Sequence, residues 1–251
     1  MKKNIIYGLH PVMEAIRAGK QMDKIFVQKG LQGKLSKELL DLLAEKKISY
    51  KMVPFEKLQR LTKENHQGVV AFTSPVSFQE LEAVLNREKE GNPQTFILLD
   101  GVTDPRNFGA IIRTAAAVEA TAVIVPENNS APVNEDTVKT SAGGIFKIPI
   151  VRVKHLKDAI FNLQANGIKV VAATEKTSQL VYNTDLSIDY ALVMGSEGKG
   201  IQKSLLQICD AKVKLPMSPL MDSLNVSVAC GVILYEGVRQ RLVQNGSVKP
   251  I

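Results

Sequence analysis

Cysteine and histidine are scarce in this 251-residue chain, and their scarcity removes several chemistries at once. The two cysteines, Cys209 and Cys230, are too few for a disulfide framework or a cysteine-rich metal site, and neither has another Cys or His at ligand spacing. Both are expected to be small buried apolar residues. The three histidines, His10, His66 and His155, are too scattered for a zinc site or a Ser-His-Asp arrangement. Long apolar runs are missing as well. No stretch approaches the roughly 18 uninterrupted apolar residues of a membrane span, and the opening Met-Lys-Lys-Asn-Ile-Ile-Tyr-Gly lacks the apolar region of a secretory signal. The expectation is a soluble cytoplasmic protein with no membrane partner.

What is present is enough to fold. A hydrophobic content of 45% supports a substantial core, and the length allows one large domain or two. Charge separates the two options. Residues 1–74 carry 14 Lys and Arg against 7 Asp and Glu, and residues 75–251 carry 18 of each, so the whole net charge of +7 falls in the first third. Charge so confined fits a polyanion-binding module joined to a nearly neutral one, although a solvated lysine-rich surface would give the same balance.

Hydrophobic spacing predicts a small mixed α/β pattern in the first 73 residues. Strands are expected at Ile25-Phe26-Val27 and Val69-Val70-Ala71-Phe72, and a helix from Ser36 to Lys46 with Leu39, Leu40, Leu42 and Leu43 along one side. Ser74-Pro75-Val76-Ser77 is the best linker candidate, because proline biases the residue before it toward extended backbone and the charge balance changes here. Residues 75–94 are assigned to a linking region with a helix expected from Phe78 to Lys89 and a turn at Gly91-Asn92-Pro93. From residue 95 onward strands and helices alternate. The expected strands are Phe96 to Leu99, Ala122 to Val125, Ile148 to Val151, Lys169 to Ala173, Tyr190 to Met194 and Ala211 to Leu215. Between and after them helices are expected from Asn107 to Val118, Asn134 to Ser141, Leu156 to Ala165, Ile201 to Ile208 and Asn225 to Leu242. Near-continuous apolar strands separated by helices indicate a parallel sheet covered on both faces. Ligands of such sheets bind beyond the carboxyl ends of the strands.

Three segments sit at such places. The first is Asp100-Gly-Val-Thr-Asp104-Pro-Arg106-Asn107-Phe-Gly-Ala-Ile-Ile-Arg113-Thr, and the second is Met194-Gly195-Ser196-Glu197-Gly198-Lys199-Gly200-Ile201. The third is Leu215-Pro216-Met217, followed shortly by Asp222-Ser223-Leu224-Asn225-Val226-Ser227 at the start of the last helix. Ser and Asn at a helix N-terminus favour an anionic ligand. The glycine-rich turn is not a P-loop, since the four residues between glycines and the Ser or Thr after Lys are missing, nor a dinucleotide fingerprint, since its order is G-x-x-G-x-G. Alone it is a tight turn. Asn107 and Arg113 are six residues apart, so their side chains point in different directions around a helix, and a single helical arginine is ordinarily a surface residue. Asp100 and Asp104 resemble a metal pair but have no histidine near them, and turn capping accounts for both; no metal is expected. Ser141-Ala142-Gly143-Gly144 fits a helix ended by glycine.

In this order and at these spacings the three segments resemble the three motifs of the SpoU (TrmH) family of RNA ribose 2′-O-methyltransferases. With the N-terminal part included, the chain is similar to the members that methylate a guanosine in 23S rRNA. The resemblance implies the SPOUT α/β-knot fold, a parallel sheet with a deep trefoil knot. A small α/β RNA-binding domain resembling ribosomal protein L30e would precede it over residues 1–74. Gly8-Leu-His10-Pro-Val and Asn65-His66-Gln67-Gly68 match that domain's opening and closing motifs. Residues 95–251 would be the methyltransferase domain, with S-adenosyl-L-methionine (SAM) as cofactor, held largely through backbone groups. The matching positions are Gly195, Leu215 and Leu224, with Thr174, Glu197, Ile201, Met217 and Ser218 as neighbours. The implied catalytic set is Asn107, Arg113, Glu197, Ser223 and Asn225, and His10, His66, Gln67 and Arg106 are the implied RNA contacts. The family proposal makes the arginine a general base. A guanidinium holds its proton tightly and has no acceptor site, so we expect Arg113 instead to clamp the nucleotide phosphate and the developing alkoxide. The family works as a homodimer in which one subunit can supply an arginine to its partner's site; Val228, Val232, Leu234 and Val238 suit such an interface or burial within one subunit.

Other readings share these residues. A tRNA ribose methyltransferase would use the same chemistry, and an rRNA adenosine methyltransferase conferring antibiotic resistance would also share the N-terminal extension. The shortest tRNA enzymes of the family lack that extension, which favours ribosomal RNA. A non-enzymatic rRNA-binding assembly factor would keep the fold but have no chemical need for Asn107, Arg113, Glu197, Ser223 and Asn225.

Overall fold

The computed structural model describes residues 5–87, 93–221 and 223–246. Gly91 and Asn92 of the expected turn, Glu88 and Lys89 at the end of the expected Phe78 to Lys89 helix, and Asp222 lie outside the described residues. The chain forms two compact units, one of the residues up to Ser77 together with Pro132–Asn134, the other of Phe78–Ala131 and the residues from Glu135 onward.

Alternation along the strands organises the first unit. Its elements are β1 (Ile5–Tyr7), α1 (Leu9–Arg17), β2 (Met22–Gln28), α2 (Lys34–Glu45), β3 (Lys51–Val53), α3 (Phe55–Leu61) and β4 (Val69–Thr73). The strand order is β1-β4-β2-β3, with β4 antiparallel to β1 and β2, and β3 parallel to β2. Successive side chains of β2 and β4 point to opposite faces. Ile25, Val27, Val69 and Ala71 pack with Val12, Met13 and Ile16 of α1 and with Leu39 and Leu43 of α2. Phe26, Val70 and Phe72 meet Leu58 of α3 on the other side.

The second unit contains α4 (Leu81–Leu85), β5 (Thr95–Asp100), α5 (Pro105–Ala117), β6 (Ala122–Pro126), α6 (Glu135–Thr140), β7 (Ile150–Val153), α7 (Leu156–Ala165), β8 (Lys169–Ala173), β9 (Tyr190–Gly195), α8 (Lys203–Leu206), β10 (Ala211–Val213) and α9 (Val226–Gln244). Six strands form one sheet in the order β10-β8-β9-β5-β6-β7, and every neighbouring pair is parallel. Every residue of the central strand β5 is buried, as its apolar run requires when helices cover both faces. Phe96, Leu98, Val151 and Val193 pack against Val84 of α4, Ile160 and Leu163 of α7 and Leu205 of α8. The alternate residues of β5 face the other side, where α5 packs with α6 and α9. The expected α/β class, with a parallel sheet and a smaller α/β unit ahead of it, is the architecture observed.

Where elements differ from expectation, a tertiary contact is responsible. The helix after the linker begins only at Leu81, because Gln79 bonds as extended backbone to Ile150 and Arg152 beside β7. The helix expected from Ile201 begins at Lys203, because Ile201 is drawn into the core and Gln202 is held by Asp100. No helix among the described residues is long and apolar enough to cross a membrane.

Candidate active site

Three neighbouring strands, β10, β8 and β9, end on one side of the sheet, and the segments that follow them enclose a cleft of about 370 Å³. Thr174 comes from the loop after β8, Gly195 to Gly200 from the turn after β9, and Leu215 and Met217 from the segment after β10. Ser223 and Leu224, with Ala229 and Ile233 of α9, complete the wall. The size and the apolar lining between loop backbones suit a small organic ligand.

Gly195 is where the turn folds back on itself. A Cβ here would lie 2.2 Å from the carbonyl carbon of Gly200 and 2.4 Å from the nitrogen of Ile201, too close for any side chain. That approach lets Ser196 and Gly200 exchange backbone hydrogen bonds of 3.2 and 2.9 Å. Asp100, buried at the end of β5, braces the turn by accepting from the Gln202 backbone N–H and from its Nε2, each at 2.7 Å. Asp104 caps α5, accepting from the N–H groups of Arg106 and Asn107 at 2.6 and 3.3 Å. Each of the two acids thus holds a local turn or helix start, as capping requires.

The chemistry-bearing groups meet at the rim. Asn225 is the N-cap of α9, and its Oδ1 accepts from the N–H groups of Ser227 and Val228 at 3.0 and 3.3 Å. With that oxygen committed to the helix, Nδ2 points away and donates to Glu197 Oε1 at 2.6 Å and to Asn107 Oδ1 at 2.9 Å. Asn107, in the first turn of α5, donates its own Nδ2 to the same Glu197 oxygen at 3.1 Å. Three segments distant in sequence are tied together at one carboxylate. Its other oxygen, Oε2, makes no hydrogen bond among the described residues, and Glu197 is exposed. A carboxylate pinned through one oxygen and open at the other is a positioned acceptor for a hydroxyl group.

Thr174, Gly195, Glu197, Leu215, Met217, Ser223 and Leu224 all line the cleft, whereas Ile201 and Ser218 do not. Ile201 is only 6% exposed and packs in the core, and the Ser218 hydroxyl accepts from the Leu220 N–H at 3.3 Å to hold a turn. Arg113 is exposed and makes no hydrogen bond or ion pair among the described residues. Six residues beyond Asn107, it is turned about 240° around α5, and its backbone packs against Gly144, where an added Cβ would lie 3.4 Å from the Arg113 Cα. Lys176, Lys199 and Lys214 also line the cleft and were not expected there. A lysine after a strand carries no sequence signal that separates it from a solvated surface.

In the first unit His10 is exposed on α1, and Gln67 Oε1 accepts from the Leu9 N–H at 3.2 Å, joining the opening and closing motifs. His66 is 5% exposed, its Nδ1 accepts from the Gly68 N–H at 3.1 Å, its ring lies 5.2 Å from that of Phe55, and with Gln67 it lines a cavity beside α3. Arg106 is exposed in the first turn of α5. Cys230 is buried and Cys209 half-buried; burial pushes their thiols up to about 12 and about 11. Among the described residues no cluster of three or more His, Cys, Asp or Glu side chains could hold a metal ion.

The sequence profile of the SpoU rRNA methylase family matches residues 94–235, over half of the chain, and that for RNA 2′-O ribose methyltransferase substrate binding matches residues 5–79. The chain belongs to the SpoU rRNA methylase family. A relative from Pseudomonas putida, 23S rRNA (guanosine-2′-O-)-methyltransferase RlmB, is 39% identical to this SpoU chain over 241 residues, covering 95% of it and 97% of the relative. A Staphylococcus aureus protein assigned to the TrmH family of tRNA/rRNA methyltransferases is 36% identical over 243 residues, covering 96% and 98% of the two chains. Among solved structures, the SpoU methyltransferase AviRb from Streptomyces viridochromogenes, in complex with the cofactor AdoMet, is similar with a TM-score of 0.60 and 26% identity, covering 95% of this chain and 90% of that one. As a SpoU family member the chain is an RNA methyltransferase, and the non-enzymatic assembly-factor reading falls away.

Proposed function

We propose that this chain transfers a methyl group from SAM to the ribose 2′-hydroxyl of a guanosine in 23S rRNA. The observation that carries the reading is the Asn107, Glu197 and Asn225 cluster on the rim of the cleft. The cleft suits the cofactor: Leu215, Leu224 and Val226 offer apolar surface to a flat base, and the backbones of three loops offer donors and acceptors. When bound, SAM supplies an electrophilic methyl group.

A ribose hydroxyl is a poor nucleophile while it keeps its proton. The open Glu197 oxygen accepts that proton or orients the hydroxyl, and Asn107 and Asn225 hold the carboxylate so that the nucleophile stays aligned. Ser223 and Leu224 confine it from the cleft side. Arg113 clamps the RNA phosphate and stabilises the developing alkoxide with its guanidinium group. Because Asn107 and Arg113 lie on different sides of α5, we assign Arg113 to the site of a partner subunit. An apolar groove between α5 and α9, lined by Ala110, Thr114, Val228, Val232 and Tyr235, is the proposed face of that homodimer. Residues 1–74 would deliver the RNA, residues 75–94 connect, and residues 95–251 carry out the chemistry, in the cytoplasm where ribosomal RNA is matured.

A second substrate, tRNA, is favoured by the tRNA/rRNA description of the Staphylococcus aureus relative. Transfer of labelled methyl from SAM to ribosomal RNA and, separately, to tRNA lacking the modification, followed by nucleoside analysis, decides between them. We expect 2′-O-methylguanosine in ribosomal RNA alone. Methylated tRNA would replace the substrate and keep the chemistry, and a base-methylated product would overturn the proposed nucleophile.

A further inference from the structure

A second cavity lies wholly within the first unit. It encloses about 710 Å³ beside the end of β2, α3 and the loop into β4, and its walls include Gln28, Phe55, Gln59, Lys63, Glu64 and Asn65. Its lining differs in kind from the surface around it. The unit carries the chain's whole excess of positive charge, yet within the cavity wall one lysine, Lys63, is matched by one acid, Glu64. The remaining polar side chains are the amides of Gln28, Gln59, Asn65 and Gln67, the Thr62 hydroxyl and the His66 ring. The amides of Gln28, Gln59 and Asn65 make no hydrogen bond among the described residues, so their donors and acceptors are available.

Phe55, at the first position of α3, is 43% exposed. It does not swing freely, because the buried His66 ring sits 5.2 Å away at an interplanar angle of 53°. His66 is in turn fixed by the Gly68 N–H. An exposed aromatic ring packed beside His66 in the wall of an amide-rich cavity matches a nucleobase, which needs a flat apolar face to stack on and donors and acceptors for its edge. It does not match a phosphate, which would need convergent cations. We infer that this cavity takes one unstacked RNA base, with Phe55 as the stacking surface and Gln28, Gln59 and Asn65 against the base edge, while lysines outside it meet the phosphates. Glu64 would accept from an exocyclic amino group. The inference rests on the reading of this unit as RNA-binding and goes further by naming what is bound and where.

Ultraviolet crosslinking of the full chain to unmodified 23S rRNA, followed by mass spectrometry of nucleotide adducts, tests it. We expect an adduct on Phe55 that disappears in Phe55→Leu, which keeps an apolar side chain against His66 but removes the stacking ring. In filter binding Phe55→Leu should weaken the RNA about 5- to 150-fold, the range for loss of one base stack, with an unchanged salt slope because no charge is removed. Phe55→Tyr should restore affinity. Adducts on other residues of the first unit, with equal affinity for Phe55→Leu, would overturn the base pocket and leave the unit's role as an RNA binder intact. An absence of any adduct on the first unit would overturn both. Gln59→Ala is the second probe, since its exposed side chain leaves folding untouched: a binding loss of less than twofold in both variants would also refute the pocket.

Discussion

Asn225 performs two jobs with one amide. Its oxygen caps α9, and its nitrogen holds Glu197 and Asn107. Asn225→Asp separates the jobs, because a carboxylate still caps a helix N-terminus but places a second negative charge against Glu197. We expect methyl transfer to fall roughly 10- to 100-fold, the range for losing hydrogen bonds to a charged group, with the melting temperature nearly unchanged; a calorimetric scan beside a turnover assay checks both. Gly195→Ala drives a methyl group into the Gly200 backbone, so SAM binding by calorimetry should be lost along with about 1–3 kcal/mol of stability. Gly198→Ala, with nothing within 4 Å of the new carbon, should change stability by less than about 0.5 kcal/mol. Tyr190 is a third case. Burial pushes its phenol up to about 12, against the pull of Arg241 and Thr95, while an unfolded tyrosine titrates near about 10. Stability from the neutral phenol is fully present below about pH 10 and is lost as pH rises toward about 12, because only the unfolded chain has yet released its proton. Tyr190→Phe should flatten that alkaline loss, measured as urea midpoints against pH.

At the scale of elements, α9 connects the two ends of β9. Its first residue follows the cap that meets the turn after β9, and its last turns grip the loop before β9. Gln240 bonds the Leu186 N–H and the Thr184 carbonyl at 2.7 and 3.0 Å, Arg241 reaches Thr95 Oγ1 at 2.8 Å, and Gln244 reaches Ser187 Oγ at 2.7 Å. Gly237 fits where a Cβ would stand 2.7 Å from the Tyr190 hydroxyl, which fixes the helix close to the sheet. The first half of this helix, Val226 to Tyr235, is apolar nearly all round, so burial on one side leaves apolar residues on the other. Leu234 is 1% exposed, whereas Val228, Val232 and Tyr235 are 51, 39 and 54% exposed. Val232→Asp places a charge on that outer stripe without touching the core. If this stripe is the face of the proposed homodimer, sedimentation velocity should show a dimer for the parent and a monomer for the variant, and methyl transfer should fall with it because Arg113 then serves the partner's site.

Over the whole molecule, charge and chemistry are divided along the chain. All of the net +7 lies before residue 75, while the cleft and its amide-carboxylate cluster lie after residue 100. Binding of ribosomal RNA should weaken with salt by roughly 0.7 to 0.9 log units per log unit for each phosphate contact. Replacing Lys51 and Lys57 with glutamine should reduce that slope by about this amount for each lysine that touches phosphate, and leave turnover at saturating RNA near the parent value. Filter binding across a salt series, with turnover measured in parallel, checks the division.

Sequence by itself determined the layered α/β sheet, because the alternating runs of apolar strand and amphipathic helix report directly on which faces must leave water. It also located the turn at Gly195 to Gly200 and the cap at Asn225, since backbone conformations of that kind accept few residue types. Only the tertiary structure decided which of these residues meet. Nothing in the spacing of Asn107, Glu197 and Asn225 says that three loops converge on one carboxylate, because that depends on β9 lying between β5 and β8 in the sheet. Nor could a sequence tell that the His66 ring is buried beside Phe55, or separate Ile201 in the core from a residue in the cleft. Burial is a property of the packed chain, and it is decided by contacts among residues far apart in sequence.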